Sequence, residues 1–396
     1  MIRYSKPPIT LLITLCLIFL HARALNETRM NAHLAAGAGL LGTFRDSTSW
    51  NLSNWMSAYD DSTPVQALSI PGTHDSLTWN VPAYVAPFVK TQDFPFFDQL
   101  NYGVRFVDLR IGILKGRIRM YHASYLLDST AQLEDIFWGL YHWLDSHPTE
   151  SVLVCIKVDN GNNTAALQRQ VYDLITSPET SDYWVWNTTL PLLGQARRKL
   201  IPILRLVLSP DNIPDYQPVG VSVARGWRDN YPNITLTYYE STDGYGNTHS
   251  QQLFIEDLYN PQAEDEEAGV EDKFEALKTH LDLAAATAAT PDFQTSWFIG
   301  FASGYNGLLT TPSELALGST IPYTIIGVNP RVLEYLISKR GQYFGVIMFD
   351  YYGANLSLAN ATLGWDLVSG TSNVRSHTVV LSIVLVFWAL WDYPYS

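Results

Sequence analysis

Short apolar segments alternate with amphipathic ones along the middle of the chain. Eight runs rich in β-branched and aromatic residues are predicted to be strands: residues 67–71, 105–112, 119–124, 152–159, 200–206, 252–258, 297–303 and 343–352. Several are apolar at nearly every position, as strands buried on both faces must be. Residues 132–147, 272–289 and 329–340 carry apolar side chains at helical spacing. This alternation predicts an α/β fold, a single-domain barrel of the (β/α)8 TIM type.

The first 24 residues have the features of a secretory signal peptide. Arg3 and Lys6 precede an apolar run at residues 9–20, and Ala22 and Ala24 supply the small side chains of a cleavage site. The run is shorter than the ~20 apolar residues that a membrane-spanning helix needs. We therefore expect this segment to direct secretion.

The end of the chain has the three parts of a GPI-attachment signal. Small residues around Ser369 and Gly370 are followed by a polar spacer and then by an apolar tail at residues 378–391. The alternative is a short hydrophobic helix packed on the domain. The predicted organisation is a signal peptide (1–24), a loose Ala/Gly-rich lead-in (25–50), the barrel (51–365) and a GPI signal or hydrophobic tail (370–396).

Glycosylation sequences support a secreted or surface-anchored protein. Asn-x-Ser/Thr occurs at Asn26, Asn51, Asn162, Asn187, Asn233, Asn355 and Asn360. Together with a signal peptide they indicate a glycosylated eukaryotic protein. Removal of the signal peptide leaves a single thiol, Cys155, whose apolar neighbours predict a small buried side chain.

Composition and charge exclude several classes of protein. Hydrophobic residues make up 47% of the chain and charged residues 16%, which excludes a disordered protein. The net charge of −13 argues against a nucleic-acid partner, because binding phosphates requires clustered cations. The same charge gives no electrostatic attraction to anionic membranes. We expect a monomer.

Polar residues gather where the predicted strands end. They are His74 and Asp75, Asp108 and Arg110, His122, and Asp350. In a β/α barrel the carboxyl ends of the strands converge on one mouth, where active sites form. Each residue alone has a structural alternative, such as a turn cap for His74 or an ion pair of Asp108 with Arg110. Together they predict an active site, because burying such groups is costly.

Three motifs carry a resemblance to a known family. The segments SIPGTHDS (69–76), GVRFVDLR (103–110) and YHASYLL (121–127) resemble the bacterial-type phosphatidylinositol-specific phospholipase C family, and this chain looks like a secreted, fungal-like eukaryotic member. The resemblance extends from about residue 52 to residue 351. It implies a distorted, partly open TIM barrel that cleaves phosphatidylinositol-type phospholipids to diacylglycerol and inositol 1,2-cyclic phosphate. The alternatives are a phosphodiesterase for another head group or a GPI glycan, or a non-catalytic ligand-binding barrel.

The resemblance also implies catalytic roles. His74 matches the general base that takes the proton of the inositol 2-hydroxyl, and Asp350 matches the carboxylate that orients it. His122 matches the general acid that protonates the diacylglycerol oxygen, and Asp75 matches its acidic helper. Arg110 matches the cation that holds the non-bridging phosphate oxygens. Two imidazoles can exchange acid and base roles near neutral pH, and a guanidinium is suited to phosphate.

No metal and no other cofactor is expected. In the calcium-dependent animal signalling enzymes of this kind, calcium takes the place of the arginine. Here Arg110 occupies the position of the cation, and the Asp108-x-Arg110 spacing follows the metal-free pattern. The remaining possibility is a metal on Asp108, for which pairing with the arginine is the alternative.

Four further positions match the inositol-binding groups of the family. They are Lys157, Arg205, Asp257 and Tyr259, each at the end of a predicted strand. An inositol phospholipid at a membrane surface is therefore the expected partner. The alternative for Lys157 and Asp257 is an ion pair across the mouth. Residues 206–250 match no motif of the family and could reshape the rim of the pocket.

One apolar segment is a candidate for contact with a membrane. Residues 81–89 follow the catalytic His74-Asp75 pair and contain two prolines, which disfavour an ordinary core helix. Val85, Phe88 and Val89 are predicted to present apolar surface to the lipid. The alternative is that Phe88 and Val89 pack under the next loop.

Overall fold

A computed structural model describes residues 27–45, 52–320 and 323–365. The predicted signal peptide, the sequences at Asn26 and Asn51, and the tail at 370–396 lie outside these residues. Among the helices that are described, none combines the length and the apolar character needed to cross a membrane.

The described residues form thirteen strands and ten α-helices. The strands are β1 (Ile70–Thr73), β2 (Phe106–Leu114), β3 (Arg117–His122), β4 (Tyr125–Leu126), β5 (Ser151–Asn160), β6 (Lys199–Arg205), β7 (Val221–Ser222), β8 (Tyr231–Thr242), β9 (Thr248–Asp257), β10 (Ser296–Ala302), β11 (Gly318–Ser319), β12 (Ile325–Ile326) and β13 (Val346–Phe349). The helices are α1 (27–41), α2 (Ala86–Val89), α3 (Phe96–Asn101), α4 (Leu133–Ser146), α5 (Ala165–Thr176), α6 (Leu193–Ala196), α7 (Glu266–Thr287), α8 (Pro312–Leu317), α9 (Val328–Ser338) and α10 (Ser357–Thr362). Short 3-10 helices lie at Trp55–Ala58, Val65–Ala67, Ser181–Tyr183, Pro291–Thr295 and Tyr352–Ala354.

Eight of these strands run parallel and curve around a common core. Their order is β7-β6-β5-β2-β1-β13-β10-β9, and β8 adds an antiparallel strand beside β9. The two ends of the sheet, β7 and β8, approach each other without forming a ladder, so the barrel is nearly closed. The prediction of a distorted TIM-type barrel is confirmed, as are the three helices predicted from their spacing, which are α4, α7 and α9.

The predicted strand at residues 119–124 is not a barrel strand. It forms β3, which runs antiparallel to β2 as the second arm of a hairpin. The turn between them contains Lys115 and Gly116, with φ values of 50° and 77°. Two consecutive residues with positive φ favour a tight hairpin turn, which returns the chain beside β2 rather than through a crossover. The eighth parallel strand is instead β7, within the segment that matched no motif.

The core has an inner and an outer part. Inside the barrel, large side chains such as Trp297 and Met348 are fully buried, and a Cβ added to Gly72 would lie 2.4 Å from the Met348 sulfur. Outside it, apolar residues of the helices pack on the strands. Cys155 belongs to the inner part, and burial raises the pKa of its thiol. Its prediction as a buried, unreactive side chain is consistent with this position.

The lead-in is more ordered than the sequence suggested. Residues 27–41 form α1, and Leu40 and Leu41 are fully buried in the core. A Cβ on Gly139 of α4 would lie 2.6 Å from Leu41, so the glycine permits this close approach. The expectation of a loose segment is therefore wrong for α1, because its alanines favour a helix once an apolar face has a partner.

Candidate active site

A cavity of about 510 Å³ opens at the carboxyl ends of the parallel strands. Among the residues that line it are all nine predicted catalytic and substrate-binding residues: His74, Asp75, Arg110, His122, Lys157, Arg205, Asp257, Tyr259 and Asp350. The strand-end rule for β/α barrels explains this convergence for the residues that lie on parallel strands. His122 arrives by another route, on the hairpin arm β3.

His74 is held by a buried carboxylate. Its Nδ1 lies 2.9 Å from Oδ1 of Asp350, which has no exposed surface. The Gly304 amide donates to the other oxygen of Asp350 at 3.3 Å, and the Asn329 amide donates to its backbone carbonyl at 2.7 Å. Because these two neighbours fix Asp350, it orients the imidazole with Nε2 directed at Asp75.

Asp75 stands between the two imidazoles. Its Oδ2 lies 3.3 Å from Nε2 of His74 and 3.4 Å from Nε2 of His122. Its Oδ1 lies 3.1 Å from Nε of Arg110. The residue has a φ of 42°, a left-handed conformation that aspartate tolerates better than most residues, in the turn that leaves β1. One carboxylate thus faces two titratable rings and a permanent cation.

His122 is anchored through its second ring nitrogen. Nδ1 lies 2.7 Å from the carbonyl oxygen of Val89 at the end of α2. Because a carbonyl can only accept, Nδ1 donates this hydrogen bond, and Nε2 is the nitrogen that faces Asp75 in the cavity. The anchor connects the hairpin to the segment that follows the first strand.

Arg110 is surrounded by carboxylates. Its Nε lies 2.9 Å from Asp108, and its Nη1 lies 3.2 Å from Asp159. Burial alone would lower the pKa of Arg110, but Asp108, Asp75 and Asp159 outweigh burial and raise it. Burial would raise the pKa of Asp108, and Arg110 lowers it instead. Asp108 therefore pairs with the arginine, as the sequence suggested.

The donors present do not fit a resident metal. Among the described residues, His74, Asp75 and Asp108 offer possible ligand atoms within 4.8 Å of one another. The Arg110 guanidinium already lies within 3.1 Å of both of these carboxylates. A divalent cation between them would face a buried positive charge, and such repulsion is large where water is excluded.

A second group of residues forms the far wall of the cavity. Arg205 donates to Asp257 at 3.3 Å, and Nε1 of Trp227 donates to the same carboxylate oxygen at 2.7 Å. The guanidinium lies 3.6 Å from the centre of the Trp227 ring. The hydroxyl of Tyr259 donates to Asp229 at 2.8 Å.

The structure also decides the partner of Lys157. Its Nζ lies 3.1 Å from Asp159, whereas Asp257 pairs with Arg205. The alternative of an ion pair between Lys157 and Asp257 is therefore wrong. The side chain of Lys157 remains 30% exposed, so part of its ammonium group faces the cavity.

Sequence reasoning missed three of these residues. Trp227 and Asp229 lie in the segment 206–250, which has no strand pattern to place them. Asp159 can be predicted from the sequence, because it is two residues beyond Lys157 on the same strand and alternate residues of a strand share a face. The alternation of side chains along this strand therefore points to Asp159.

The rim of the cavity is apolar on two sides. Phe88 on α2 is 68% exposed, and Leu308, on the connection from β10 to α8, is 96% exposed. Val85 is half-buried. Val89 is buried, so the prediction that it presents apolar surface is wrong; the same residue supplies the carbonyl that anchors His122. Leu308 and its exposed neighbour Leu309 were not predicted.

The family model that matches this chain is PI-PLC X, over residues 66–179. This segment is similar to the PI-PLC X family. The match contains both histidines, Asp75, Arg110 and Lys157, whereas Arg205, Asp257 and Asp350 lie beyond it. The resemblance inferred from the three motifs is confirmed.

Curated relatives extend the similarity. The 1-phosphatidylinositol phosphodiesterase of Staphylococcus aureus (strain Newman) is 22% identical over 324 residues, 78% of this chain and 91% of that enzyme. The enzyme of the same name from Listeria monocytogenes is 29% identical over 158 residues, 37% of this chain and 47% of its own length. The human PI-PLC X domain-containing protein 1 is 30% identical over 26% of this chain and 41% of its own. The chain thus spans less than half of two of these relatives and most of the third.

Solved structures share the fold outside the PI-PLC X segment as well. A double mutant of the phosphatidylinositol-specific phospholipase C from Staphylococcus aureus aligns with a TM-score of 0.62 and 19% identity, covering 80% of this chain and 97% of that one. The Listeria monocytogenes enzyme aligns with a TM-score of 0.56 and 20% identity, covering 79% and 97%. The complete barrel, and not only the PI-PLC X segment, therefore has this architecture.

Proposed function

We propose that the protein is a phosphodiesterase of the lyase type that cleaves phosphatidylinositol-type phospholipids through two histidines. The observation that carries the proposal is the convergence of His74, His122 and Arg110 on the carboxylate of Asp75 within one cavity. The names of the Staphylococcus and Listeria relatives agree with this chemistry. The catalytic steps below follow from the positions of these groups.

In the first step, His74 acts as the general base. It takes the proton of the inositol 2-hydroxyl, and the resulting oxygen attacks the adjacent phosphorus. Asp350, at 2.9 Å from the opposite ring nitrogen, stabilises the imidazolium that forms. Arg110 contacts Asp75, which stands between the two histidines, and binds the non-bridging oxygens, where negative charge grows in the transition state.

In the second step, His122 acts as the general acid. It gives a proton to the glycerol oxygen as the phosphorus–oxygen bond to diacylglycerol breaks. The products are diacylglycerol and inositol 1,2-cyclic phosphate, so one phosphorus–oxygen bond forms for each that breaks. Asp75, 3.4 Å from Nε2 of His122, stabilises the protonated ring before transfer.

The far wall of the cavity is suited to a ring of hydroxyl groups. Arg205 and Asp257 present a donor and an acceptor side by side, and the Trp227 indole holds both in place. Tyr259 offers an aromatic face for the apolar side of the ring. Lys157 adds a charge near the phosphate or an adjacent hydroxyl.

One assay tests the proposal. The purified protein is incubated with vesicles of phosphatidylinositol, phosphatidylcholine or sphingomyelin, each with and without EDTA. We expect inositol cyclic phosphate from the first vesicles only, and no effect of EDTA, because Arg110 supplies the positive charge. Release of another head group would replace the proposed substrate, and no release from any vesicle would indicate a binding protein.

The pH dependence of kcat/KM should reflect the protonation of His74. Burial alone would lower the pKa of His74, but the carboxylates of Asp75 and Asp350 outweigh burial and raise it to about 9. A general base must be unprotonated, so kcat/KM should rise with pH towards a midpoint near that value. In Asp350→Asn one of the two negative charges is gone, and the midpoint should fall by ~1 unit or more.

This prediction is measured with a soluble substrate between pH 5 and pH 10, so that binding to vesicles does not affect the profile. Glu275→Gln, which changes an exposed carboxylate on α7, is the matched control and should leave the midpoint in place. A midpoint that does not move in Asp350→Asn would show that His74 does not set the profile.

We further propose that the enzyme acts outside the cell at a membrane surface. The side chains of Asn162, Asn187, Asn233 and Asn355 are exposed, as attachment of a glycan requires, while Asn360 is half-buried. Because the net charge is −13, adsorption has to depend on apolar contacts. The exposed rim provides them, with Phe88 on one side and Leu308 and Leu309 on the other.

Replacing apolar residues of the rim should weaken binding to the membrane without changing the rate of the chemical step. The double variant Val85→Ser and Phe88→Ser is expected to lose vesicle binding and vesicle activity by at least about tenfold, since fully burying even one such side chain contributes ~1.5–3 kcal/mol and ~1.4 kcal/mol is a factor of ten. Cleavage of a soluble short-chain substrate should not change. Leu283→Ser, on the outer surface of α7 and 41% exposed, is the control. Equal losses on both substrates would show that these residues support the fold instead.

A further inference from the structure

The hairpin that carries His122 lies outside the parallel barrel. In the part of the chain that the structure describes, β3 pairs only with β2 and β4, both antiparallel. The parallel ladder that places Arg110 therefore does not fix the distance from Arg110 to His122. The end of the hairpin is instead held by contacts with neighbouring segments, of which the bond from His122 to the Val89 carbonyl is one.

The second contact is a hydrogen bond to Asp159. The backbone N–H of Ala123, the residue after His122, donates to Oδ2 of Asp159 at 2.8 Å. The other oxygen, Oδ1, lies 3.2 Å from Nη1 of Arg110 and 3.1 Å from Nζ of Lys157, and Nη1 also lies 3.4 Å from Oδ2. A single carboxylate thus joins the hairpin to the cation that faces the phosphate.

The local backbone favours this connection. Ile111 pairs with Val158 and Gly112 with Asn160, so Asp159 is the extra residue of a bulge in β5. A Cβ on Gly112 would lie 2.7 Å from the Asn160 carbonyl oxygen, so a larger residue would separate the two strands. Ala123 has a φ of 49°, which is unfavourable for alanine and directs its N–H at the carboxylate.

Asp159 remains charged while it makes these contacts. Burial would raise its pKa, but Arg110 and Lys157 outweigh burial and hold the pKa well below the usual range for aspartate. The side chain is 7% exposed, so water competes little for its oxygens. Its geometry is therefore set by the protein groups around it.

We propose that Asp159 is a positioning residue that couples the phosphate-binding guanidinium to the general acid. By contacting Arg110 and accepting from the Ala123 amide through the same carboxylate, it places His122 relative to the phosphorus. The inference rests on the proposed function, in which His122 protonates the leaving oxygen. Asp159 itself donates no proton and need not touch the lipid.

Two substrates with different leaving groups test this role. Short-chain phosphatidylinositol releases an alcohol that must be protonated, whereas the 4-nitrophenyl ester of inositol phosphate releases a phenolate that needs no acid. In Asp159→Ala the hairpin loses its acceptor, so we expect kcat to fall by ~10²-fold on the lipid but by less than about tenfold on the aryl ester. In His122→Ala the loss of kcat on the lipid should exceed the loss on the aryl ester by an even larger factor.

A conservative variant separates the two halves of the contact. Asp159→Asn keeps an oxygen that accepts from Ala123 but loses the charge that faces Arg110 and Lys157. Asp159→Asn should therefore recover most of the lipid activity that Asp159→Ala loses. Its remaining loss should be similar on both substrates. Asp173→Ala, which removes an exposed carboxylate paired with Arg169, is the control and should change neither rate.

The outcomes are distinct. Equal losses on the two substrates in Asp159→Ala, while His122→Ala discriminates between them, would overturn the positioning role and leave the proposed function standing. No discrimination by His122→Ala would overturn the assignment of the general acid and the positioning role with it. Melting curves of both Asp159 variants identify a change in fold, and the isosteric asparagine keeps the test informative if the alanine variant is unstable.

Discussion

Replacing either His74 or His122 by alanine is expected to reduce kcat/KM on phosphatidylinositol by about 10²–10⁴-fold, the usual contribution of one general acid or base. Each ring serves a different proton transfer, and neither belongs to the apolar core. The side chains are 15% and 19% exposed at the cavity. The two losses should not add in the double variant, because both rings act in one reaction.

The folds of the two variants should survive, for different reasons. His122 contacts the Val89 carbonyl through Nδ1 and Asp75 through Nε2, and water can replace both contacts at the cavity surface. His74→Ala leaves Asp350 without its imidazole, but burial already raises the pKa of Asp350, so the carboxyl group can take up a proton. We expect a small decrease in Tm for His74→Ala and almost none for His122→Ala.

The measurement is the rate on phosphatidylinositol vesicles together with a melting curve. His249→Ala is the matched control, because this histidine is 65% exposed on β9, where it lies 3.5 Å from Asp243. It should retain the full rate. A variant of His74 or His122 that kept more than about a tenth of the activity would refute the assigned role, since even a weak general acid or base contributes ~10²-fold.

The half of the site that the sequence predicts best lies on parallel strands. The run at residues 346–349 is wholly apolar and then ends in Asp350, so the strand, its direction and the polar residue at its end can be read together. Arg205 and Asp257 follow the same rule. At these positions the register of the barrel fixes the side chain, and periodicity is enough.

Where the site depends on turns or long connections, periodicity fails. The segment at 119–124 has the pattern of a strand. Its direction, antiparallel beside β2, follows from a two-residue turn and cannot be inferred from the spacing of apolar residues. Trp227 reaches Asp257 from a connection with no regular pattern. Nothing in the local sequence of Leu308 distinguishes an exposed rim from a buried loop.

Charge balance explains why the site is sensitive to the shape of its cation. Asp75, Asp108 and Asp159 surround Arg110 on different sides, and each accepts a contact from the guanidinium at 3.2 Å or less. The carboxylates thus hold the planar group in one orientation. Any positive charge would balance part of theirs, but only a fork with several nitrogens can contact all three and still face a phosphate.

Arg110→Lys is therefore expected to lose about 10²–10³-fold in kcat/KM, comparable to the removal of one preorganised donor from a transition state. Lysine keeps a positive charge among the three carboxylates, so part of their charge stays balanced and the fold should remain. A single ammonium cannot reach Asp159 and Asp75 together, and the phosphate loses a fixed donor. Arg169→Lys, at an exposed pair with Asp173, is the control and should keep the full rate. If Arg110→Lys stayed within about fivefold of the wild type on a soluble substrate with an unchanged Tm, charge alone would suffice, and the geometric role of the guanidinium would be wrong.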